Sequence, residues 1–327
     1  MTKDKTTALD KARDDLTKRY GPGTLMRLGD KGLTEDVDFI PTGSIALDRA
    51  IGGGMPRAKL VELYGKEATG KTTVVQHLIA NTQKLGLNAA MIDVENAVDL
   101  EYAKALGIDI DKWLFAQPSW GEQALEIADA LMRSGEVSFI AIDSLAALTP
   151  RAQIEGEYEA KNFGAIAALM SRSLAKLKDA AKKNNVCLLF TNQMRVDQKG
   201  FVPPGSTYQP MKTYGGEAMK FYADVRIELS RNFDKETRTE QQNVTARIQK
   251  NKIAAPFKQA TFVIEYGRGI DPIDDLVTVA VADNIIEATG NWYTHGEHKW
   301  HGLDAVAAAL RGDAELAAAV EKAVRGG

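Results

Sequence analysis

The fold class of this chain follows from one motif, Gly65-Lys66-Glu67-Ala68-Thr69-Gly70-Lys71-Thr72. It fits the pattern G-x-x-x-x-G-K-[ST], in which glycines let backbone N–H groups surround phosphate oxygens and the lysine supplies a point charge. The Thr72 hydroxyl suits a Mg²⁺ ligand, and Thr73 follows in the same turn. An apolar run precedes the motif and a helical pattern follows it. The stretch therefore predicts a nucleotide-binding phosphate loop between a strand and a helix.

The chain around this loop predicts an α/β fold with a mostly parallel, twisted central sheet. Between about residues 38 and 269, short apolar runs alternate with longer helical patterns, as in sheets covered by helices on both faces. The central strands are predicted at residues 60–64, 89–94, 139–142 and 186–191. We expect three regions: an N-terminal helix and strand in 1–35, a core in 36–270 and a small α/β C-terminal domain in 271–327. The helices are predicted at 8–20, 305–310 and 314–324.

The composition narrows the class of protein. The chain has 327 residues, of which 44% are hydrophobic and 26% charged, as in ordinary globular proteins. Its net charge is −3, so a polyanionic partner must be met by a local basic patch. One cysteine, Cys187, excludes an internal disulfide framework and favours a cytoplasmic location. Because no segment reaches the roughly 18 apolar residues of a membrane helix, no membrane partner is predicted.

Polar side chains stand at the ends of three further predicted strands. Doubly wound sheets bind ligands at the carboxyl ends of their strands, so these groups should meet the phosphate loop at one rim. Asp143, followed by Ser144, would hold Mg²⁺ through water, Glu95 would orient an attacking water, and Gln193 would sense the γ phosphate. Beyond Glu95 lie Asp99 and Tyr102, whose ring can cover adenine. Together these residues predict a nucleotide hydrolase that uses ATP and Mg²⁺.

Several segments resemble the bacterial RecA recombinase family, and the resemblance covers nearly the whole chain. They are Gly21-Pro22-Gly23-Thr24-Leu25-Met26-Arg27-Leu28-Gly29, the phosphate loop, Ile92-Asp93-Val94-Glu95, Ala141-Ile142-Asp143-Ser144-Leu145-Ala146-Ala147-Leu148-Thr149-Pro150, Ile154-Glu155-Gly156-Glu157, Asn192-Gln193-Met194-Arg195 and Lys250-Asn251-Lys252-Ile253-Ala254-Ala255-Pro256-Phe257-Lys258-Gln259-Ala260. The Lys-Asn-Lys run is especially specific.

The resemblance implies a DNA-dependent ATPase that forms helical filaments on single-stranded DNA and pairs that strand with homologous double-stranded DNA. ATP would lie between neighbouring subunits, with Lys71 and Glu95 catalytic and Gln193 linking ATP to the DNA loops. Lys250 and Lys252 would reach a neighbour's γ phosphate, and Asp99 and Tyr102 would contact adenine. The N-terminal helix would dock on the adjacent subunit. A self-cleaving SOS repressor is a further implied partner.

The same resemblance places DNA-binding loops at 155–164 and 196–216. The residues of the second loop interleave cations with stacking surfaces, which suits flexible binding of single strands. This loop is longer than is usual in the family, and Ala168 and Ala175 stand where basic residues are expected. The candidate DNA contacts are Arg172, Lys176, Arg195, Lys199, Phe201, Lys212, Gly215 and Gly216.

Rival functions share the same core. One is an ATP-switched filament, and another is a DNA-repair motor ATPase without strand exchange. Glu95 argues against a pure switch, because a switch does not need a carboxylate that activates water. The cysteine-based zinc module typical of repair relatives is missing from the sequence. A small-molecule kinase is a third alternative, and no acceptor pocket is evident for it.

Overall fold

The computed structural model describes residues 7–21, 24–25, 37–155, 164–197, 210–232 and 241–326. The chain divides into two compact units, residues 1–37 and residues 38–327. The described residues form the helices α1 Ala8–Tyr20, α2 Ile45–Ile51, α3 Lys71–Lys84, α4 Leu100–Ala105, α5 Gly121–Arg133, α6 Arg151–Ile154, α7 Ala165–Lys183, α8 Ala218–Tyr222, α9 Pro272–Ala282, α10 Leu303–Gly312 and α11 Ala314–Gly326. Short 3₁₀ turns occupy Ile110–Lys112 and Leu145–Ala147.

The strands are mostly short and alternate with these helices. They are β1 Phe39–Ile40, β2 Met55–Pro56, β3 Leu60–Gly65, β4 Asn88–Asp93, β5 Leu114–Ala116, β6 Val137–Asp143, β7 Cys187–Val196, β8 Met211–Thr213, β9 Val225–Asn232, β10 Gln241–Asn251, β11 Gln259–Glu265, β12 Gly269–Ile270, β13 Glu287–Thr289, β14 Trp292–His295 and β15 His298–His301.

One large sheet organises the second unit. Its strand order is β12-β11-β10-β9-β3-β7-β6-β4-β5, with β8 paired to β7. From β9 to β5 the neighbouring strands run parallel, whereas β10, β11 and β12 add antiparallel pairs at one side. The predicted α/β fold with a mostly parallel sheet is confirmed.

Apolar side chains cover both faces of this sheet. Strands β3 and β6 are buried along their whole length, as expected of parallel strands between two helical layers. On one face the side chains of α3 pack with Val61 and Leu63, and on the other those of α5 and α7 pack with Ile140 and Phe190. The phosphate-loop strand β3 is thus held at the centre of the molecule's core.

The first unit contains α1, whose start carries a capping box. The Thr7 hydroxyl accepts a hydrogen bond from Asp10 N, and the Asp10 carboxylate accepts one from Thr7 N. These contacts satisfy two N–H groups that a helix start leaves free. The helix predicted at 8–20 is confirmed. The strand predicted in 1–35 lies outside the described residues.

The predicted central strands are confirmed with shifts of a few residues, except that β7 is longer than expected. It continues through Val196, where β8 pairs with it antiparallel. Asn192 and Gln193 therefore lie within a strand rather than after one, and strand structure occupies both ends of the predicted second loop. Residues 156–163 and 198–209, most of the two predicted DNA loops, lie outside the described residues.

The C-terminal segment has a small core of its own. Helices α9, α10 and α11 and the three-stranded sheet β13-β14-β15 build it, and its buried residues cluster with Ile45 of α2. The two helices predicted at 305–310 and 314–324 are confirmed, and Asp313 separates them. Within the described ranges, no helix is long and apolar enough to cross a membrane.

Candidate active site

The phosphate loop joins the end of β3 to the start of α3. Gly70 has a φ of +88°, and an added Cβ would lie 2.3 Å from Ile264 Cδ1. At Gly65 an added Cβ would lie 2.3 Å from the Leu229 carbonyl oxygen. Glycine is therefore required at both positions of the motif. The loop follows the most central strand of the sheet, so its backbone is held rigidly.

Lys71 is the loop's cation, at the first position of α3. Its Nζ donates to the Lys66 carbonyl oxygen at 2.7 Å. Burial lowers the pKa of Lys71, while the nearby carboxylates of Asp143 and Glu95 act in the opposite direction. A partly desolvated ammonium group at the start of a helix is suited to bind a phosphate oxygen.

Asp143 ends β6 and is held by two hydroxyl groups. Thr72 Oγ1 donates to Asp143 Oδ2 at 2.8 Å, and Thr191 Oγ1 donates to Asp143 Oδ1 at 2.5 Å. Burial raises the pKa of Asp143, which these two hydrogen bonds oppose, whereas the neighbouring carboxylates of Glu95 and Asp93 raise it further. The buried carboxylate thus lacks a full counter-charge, and a bound cation would supply one. The sequence did not single out Thr191.

Glu95 and Gln193 meet in front of the loop. Gln193 Nε2 donates to Glu95 Oε1 at 3.1 Å, and the Ser144 hydroxyl donates to the same oxygen. The turn that presents Glu95 is fixed by Asp93, which accepts hydrogen bonds from the backbone N–H groups of Glu95 and Asn96. The structure therefore brings together the polar groups that were predicted at the ends of three strands.

Asp99 and Tyr102 lie at the far end of the same site. Asp99 caps α4 by accepting hydrogen bonds from Glu101 N at 2.9 Å and Tyr102 N at 3.1 Å. The Tyr102 hydroxyl donates to Thr73 Oγ1 at 3.3 Å, and burial raises the pKa of Tyr102 despite that hydrogen bond. Tyr102 is therefore fixed with its ring beside the start of α3.

One cavity of about 710 Å³, large enough for a nucleotide, is lined by residues 67–73, Glu95, Asp99, Tyr102, Asp143 and Gln193. The predicted residues Gly65, Lys66 and Ser144 are not part of its lining. Part of the cavity wall was not predicted from the sequence. It consists of Gln242 on β10, Ile264 on β11, and Tyr266 and Gly267 just after β11. These residues come from the antiparallel side of the sheet, and no motif marks them. A polar residue at the start of a strand gives no signal of its own.

Lys250 and Lys252 are not among the described residues that line this cavity. Lys250 Nζ donates to the carbonyl oxygens of Lys220 and Phe221, and Lys252 Nζ lies 3.3 Å from Asp224 Oδ1. Gln242, near the start of β10, does line the cavity. Lys250 lies eight residues further along the strand, or about 27 Å at ~3.4 Å per residue. Lys250, near the end of β10, and Lys252, just after it, are thus remote along the strand from their own subunit's cavity.

The stem of the second predicted loop is a short hairpin of β7 and β8. The Arg195 guanidinium lies over the Tyr214 ring at 4.5 Å, and Lys212 pairs with Asp197 at 2.6 Å. Gly215, with a φ of +80°, packs so closely that an added Cβ would lie 2.5 Å from Leu145 Cδ2. Gly216 also has a positive φ, +72°.

The other candidate DNA contacts are scattered. Arg172 and Lys176 lie on α7, where Lys176 Nζ pairs with Asp129 of α5 at 2.9 Å. Arg172 Nε donates to the Ala168 carbonyl oxygen one turn earlier. Lys199 and Phe201 lie outside the described residues.

Comparison with known proteins agrees with this geometry. A family model described as the RecA N-terminal domain matches residues 7–271. The chain belongs to the RecA family. It is 44% identical to Protein RecA of Methylococcus capsulatus, over 99% of this chain and 93% of the relative. It is 45% identical to Protein RecA of Heliobacterium modesticaldum, over 98% and 93%. With Protein RecA of Caulobacter vibrioides the identity is 43%, over 98% and 90%.

Membership of the RecA family gives the chain its general activity. It is a DNA-dependent ATPase and homologous recombinase that binds nucleotide and DNA and assembles with copies of itself into filaments. The resemblance inferred from the sequence motifs is confirmed, and so are the fold and the class of enzyme.

Proposed function

We propose that the 710 Å³ cavity binds ATP and Mg²⁺, and that its residues hydrolyse ATP when the protein is assembled on single-stranded DNA. One observation carries this proposal. The phosphate loop, the Asp143 carboxylate, Glu95 and Gln193 come from four separate strands and converge on one cavity. Solvated turn residues would lie at the same edge of the sheet without contacting one another, whereas Gln193 donates to Glu95 and Thr72 donates to Asp143.

The residues present fit Mg²⁺. The donors at the site are oxygens, the Thr72 hydroxyl and the Asp143 carboxylate, which hard cations prefer. The raised pKa of the buried Asp143 supports a cation nearby, because a positive charge would stabilise its ionised form. Thr72 would hold the ion directly and Asp143 through water. When bound, the ion would neutralise charge on the β and γ phosphates.

The protein's own residues divide the remaining work. Lys71 and the backbone N–H groups of residues 65–73 bind the phosphates. The Ser144 hydroxyl orients Glu95 by donating a hydrogen bond to it. Glu95 accepts a proton from the attacking water, and a carboxylate so placed supports hydrolysis over a pure ATP switch. Gln193 lies against Glu95 and at the stem of the second loop, so it can report DNA binding to the nucleotide. Tyr102 and Asp99 border the space for adenine.

Lys250 and Lys252 are proposed to act on the ATP of a neighbouring subunit. Their distance from their own cavity, along β10, supports an action in trans. Burial lowers the pKa of Lys250, as do the neighbouring ammonium groups of Lys252 and Lys178. An anion that reaches this cluster of cations would be strongly attracted.

The remaining assignments rest on the family resemblance. We propose the regions 1–35 for oligomerisation, 36–270 for the ATPase core and 271–327 for the C-terminal domain, with DNA bound at 155–164, at 196–216 and by Arg172 and Lys176. A self-cleaving SOS repressor is a proposed partner of the filament. The cytoplasmic location is proposed from the single cysteine, Cys187, which is buried.

The proposed DNA contacts predict the behaviour of binding. With a net charge of −3, affinity must come from local cations, so binding should weaken steeply as salt rises. It should favour single strands and require ATP or a non-hydrolysable analogue, because the γ phosphate orders the loops. Fluorescence anisotropy of a labelled oligonucleotide measures this. An affinity that does not change with salt concentration, or that is the same without nucleotide, would contradict the proposal.

A further inference from the structure

A buried amide lies between the active site and the stem of the second loop. Asn192, fully buried in β7, uses both of its amide atoms. Its Nδ2 donates to Glu62 Oε1 at 2.8 Å and to the Tyr214 carbonyl oxygen at 3.0 Å, and its Oδ1 accepts from Gln193 N at 2.9 Å. One side chain thus contacts the backbone of Gln193 and the residue that follows β8.

The carboxylate that holds this amide is also fully buried. Glu62 lies on the central strand β3, and its second oxygen accepts a hydrogen bond from Arg226 Nε at 2.5 Å. Glu62 and Arg226 are direct neighbours across the parallel pair β3 and β9. The guanidinium also lies over the Tyr64 ring at 4.8 Å. A buried carboxylate is costly unless it is paired and hydrogen-bonded, and both conditions are met here.

This network holds the return end of the second loop to the core. Tyr214 directly follows β8, and its N–H donates to the Gln193 carbonyl oxygen at 3.4 Å. Gly215 then packs against Leu145, next to Ser144. Asn192 and Leu145 therefore fix the position at which the hairpin rejoins the fold.

We propose that Glu62 and Asn192 are positioning residues that couple the second-loop hairpin to Gln193. This proposal rests on the proposed role of Gln193 as the link between DNA and ATP. A stem fixed to the same amide as Gln193 transmits the ordering of the loop to the Glu95 contact. Without that anchor, DNA binding must also order the stem. This ordering lowers the net affinity for DNA.

The test measures ATP hydrolysis against single-stranded DNA concentration. Asn192→Asp keeps an acceptor for Gln193 N and removes the hydrogen bond to the Tyr214 carbonyl oxygen, because the introduced carboxyl group can donate only by sharing a proton with the buried Glu62 carboxylate. We expect the DNA concentration for half-maximal stimulation to rise about tenfold, the factor expected from losing one hydrogen bond. ATP binding and hydrolysis without DNA should change less than about twofold, because neither residue touches the nucleotide site. The control is Thr82→Val. It removes a buried hydroxyl that donates to the Leu78 carbonyl oxygen within α3.

A double variant separates coupling from stability. In Glu62→Gln/Asn192→Asp the introduced amide can donate to the introduced carboxylate, so the Tm should recover towards that of the unaltered protein. The Tyr214 carbonyl still lacks its donor, so the half-maximal DNA concentration should stay raised. Recovery of the DNA response together with the Tm would overturn the proposal, since the network would then be merely structural.

Three further outcomes are decisive. An unaltered DNA response in Asn192→Asp would also overturn the proposal. If Asn192→Asp does not fold, the isosteric Glu62→Gln alone gives the same measurement, with an expected rise of about threefold for a neutral acceptor replacing a charged one, and no rise would overturn it. If the unaltered protein shows no DNA stimulation, the proposed function of the site fails before the coupling is tested.

Discussion

Glu95→Gln protein is expected to bind ATP and DNA and to hydrolyse ATP more slowly by a factor of about 100 or more. Glutamine keeps the size of the side chain and still accepts a hydrogen bond from Ser144, but it cannot take a proton from water. Filaments should therefore form and persist. Steady-state phosphate release measures turnover, and electron microscopy of DNA complexes checks assembly. Turnover near that of the unaltered protein would exclude Glu95 as the base.

Gln193→Ala is the matched partner of this variant, because Gln193 donates to the same Glu95 oxygen. Its hydrolysis without DNA should remain detectable, while stimulation by DNA should be lost. Chemistry and coupling would then be separated on two residues in direct contact. If the two variants behaved alike in both assays, this division of roles would be wrong.

Mixing two inactive variants is expected to restore ATPase activity. One variant carries Lys250→Ala and Lys252→Ala, and the other carries Glu95→Gln. In a mixed filament, some interfaces combine an intact Glu95 from one subunit with intact lysines from its neighbour. At these interfaces charge on the phosphates is neutralised in trans and water is activated, so a working site is complete. With equal, random mixing, about one quarter of interfaces should be complete.

The negative control for this experiment is Glu95→Gln protein mixed with Lys71→Ala protein. Lys71 and Glu95 line the same cavity, so no cavity in this mixture has both residues intact, and the mixture should stay inactive. Co-assembly on DNA is verified by labelling the two proteins differently. Lack of recovery at every mixing ratio would mean that the lysines act within their own subunit or have no role in hydrolysis.

Most of the candidate site's rim was predictable from sequence because the parallel sheet imposes it. Once β3, β4, β6 and β7 are recognised as parallel strands, their carboxyl ends must lie at one edge. Glu95 and Asp143 follow from that rule alone. The phosphate loop was predictable from its motif alone, because glycines and a lysine at this spacing between a strand and a helix bind phosphate.

Contacts between distant segments could not be predicted in the same way. Thr191 supports Asp143, and Gln242 lines the cavity, but each is an ordinary polar residue in a strand. The length of β7 was underestimated because Gln193 and Arg195 resemble the polar residues that end strands. Pairing with β8, some fifteen residues later, extends the strand in spite of its polarity. The links from Glu62 to Asn192 and Arg226 depend on the order of strands in the sheet, which no local pattern fixes.

The most direct test of the proposed ATP site is ATP hydrolysis measured with and without single-stranded DNA, for the unaltered protein and for Lys71→Ala. The unaltered protein should hydrolyse ATP faster when single-stranded DNA is added. In Lys71→Ala both activity and tight ATP binding should be lost, because the phosphates lose their central cation. Robust hydrolysis by Lys71→Ala, or hydrolysis by the unaltered protein that does not respond to DNA, would contradict this proposal.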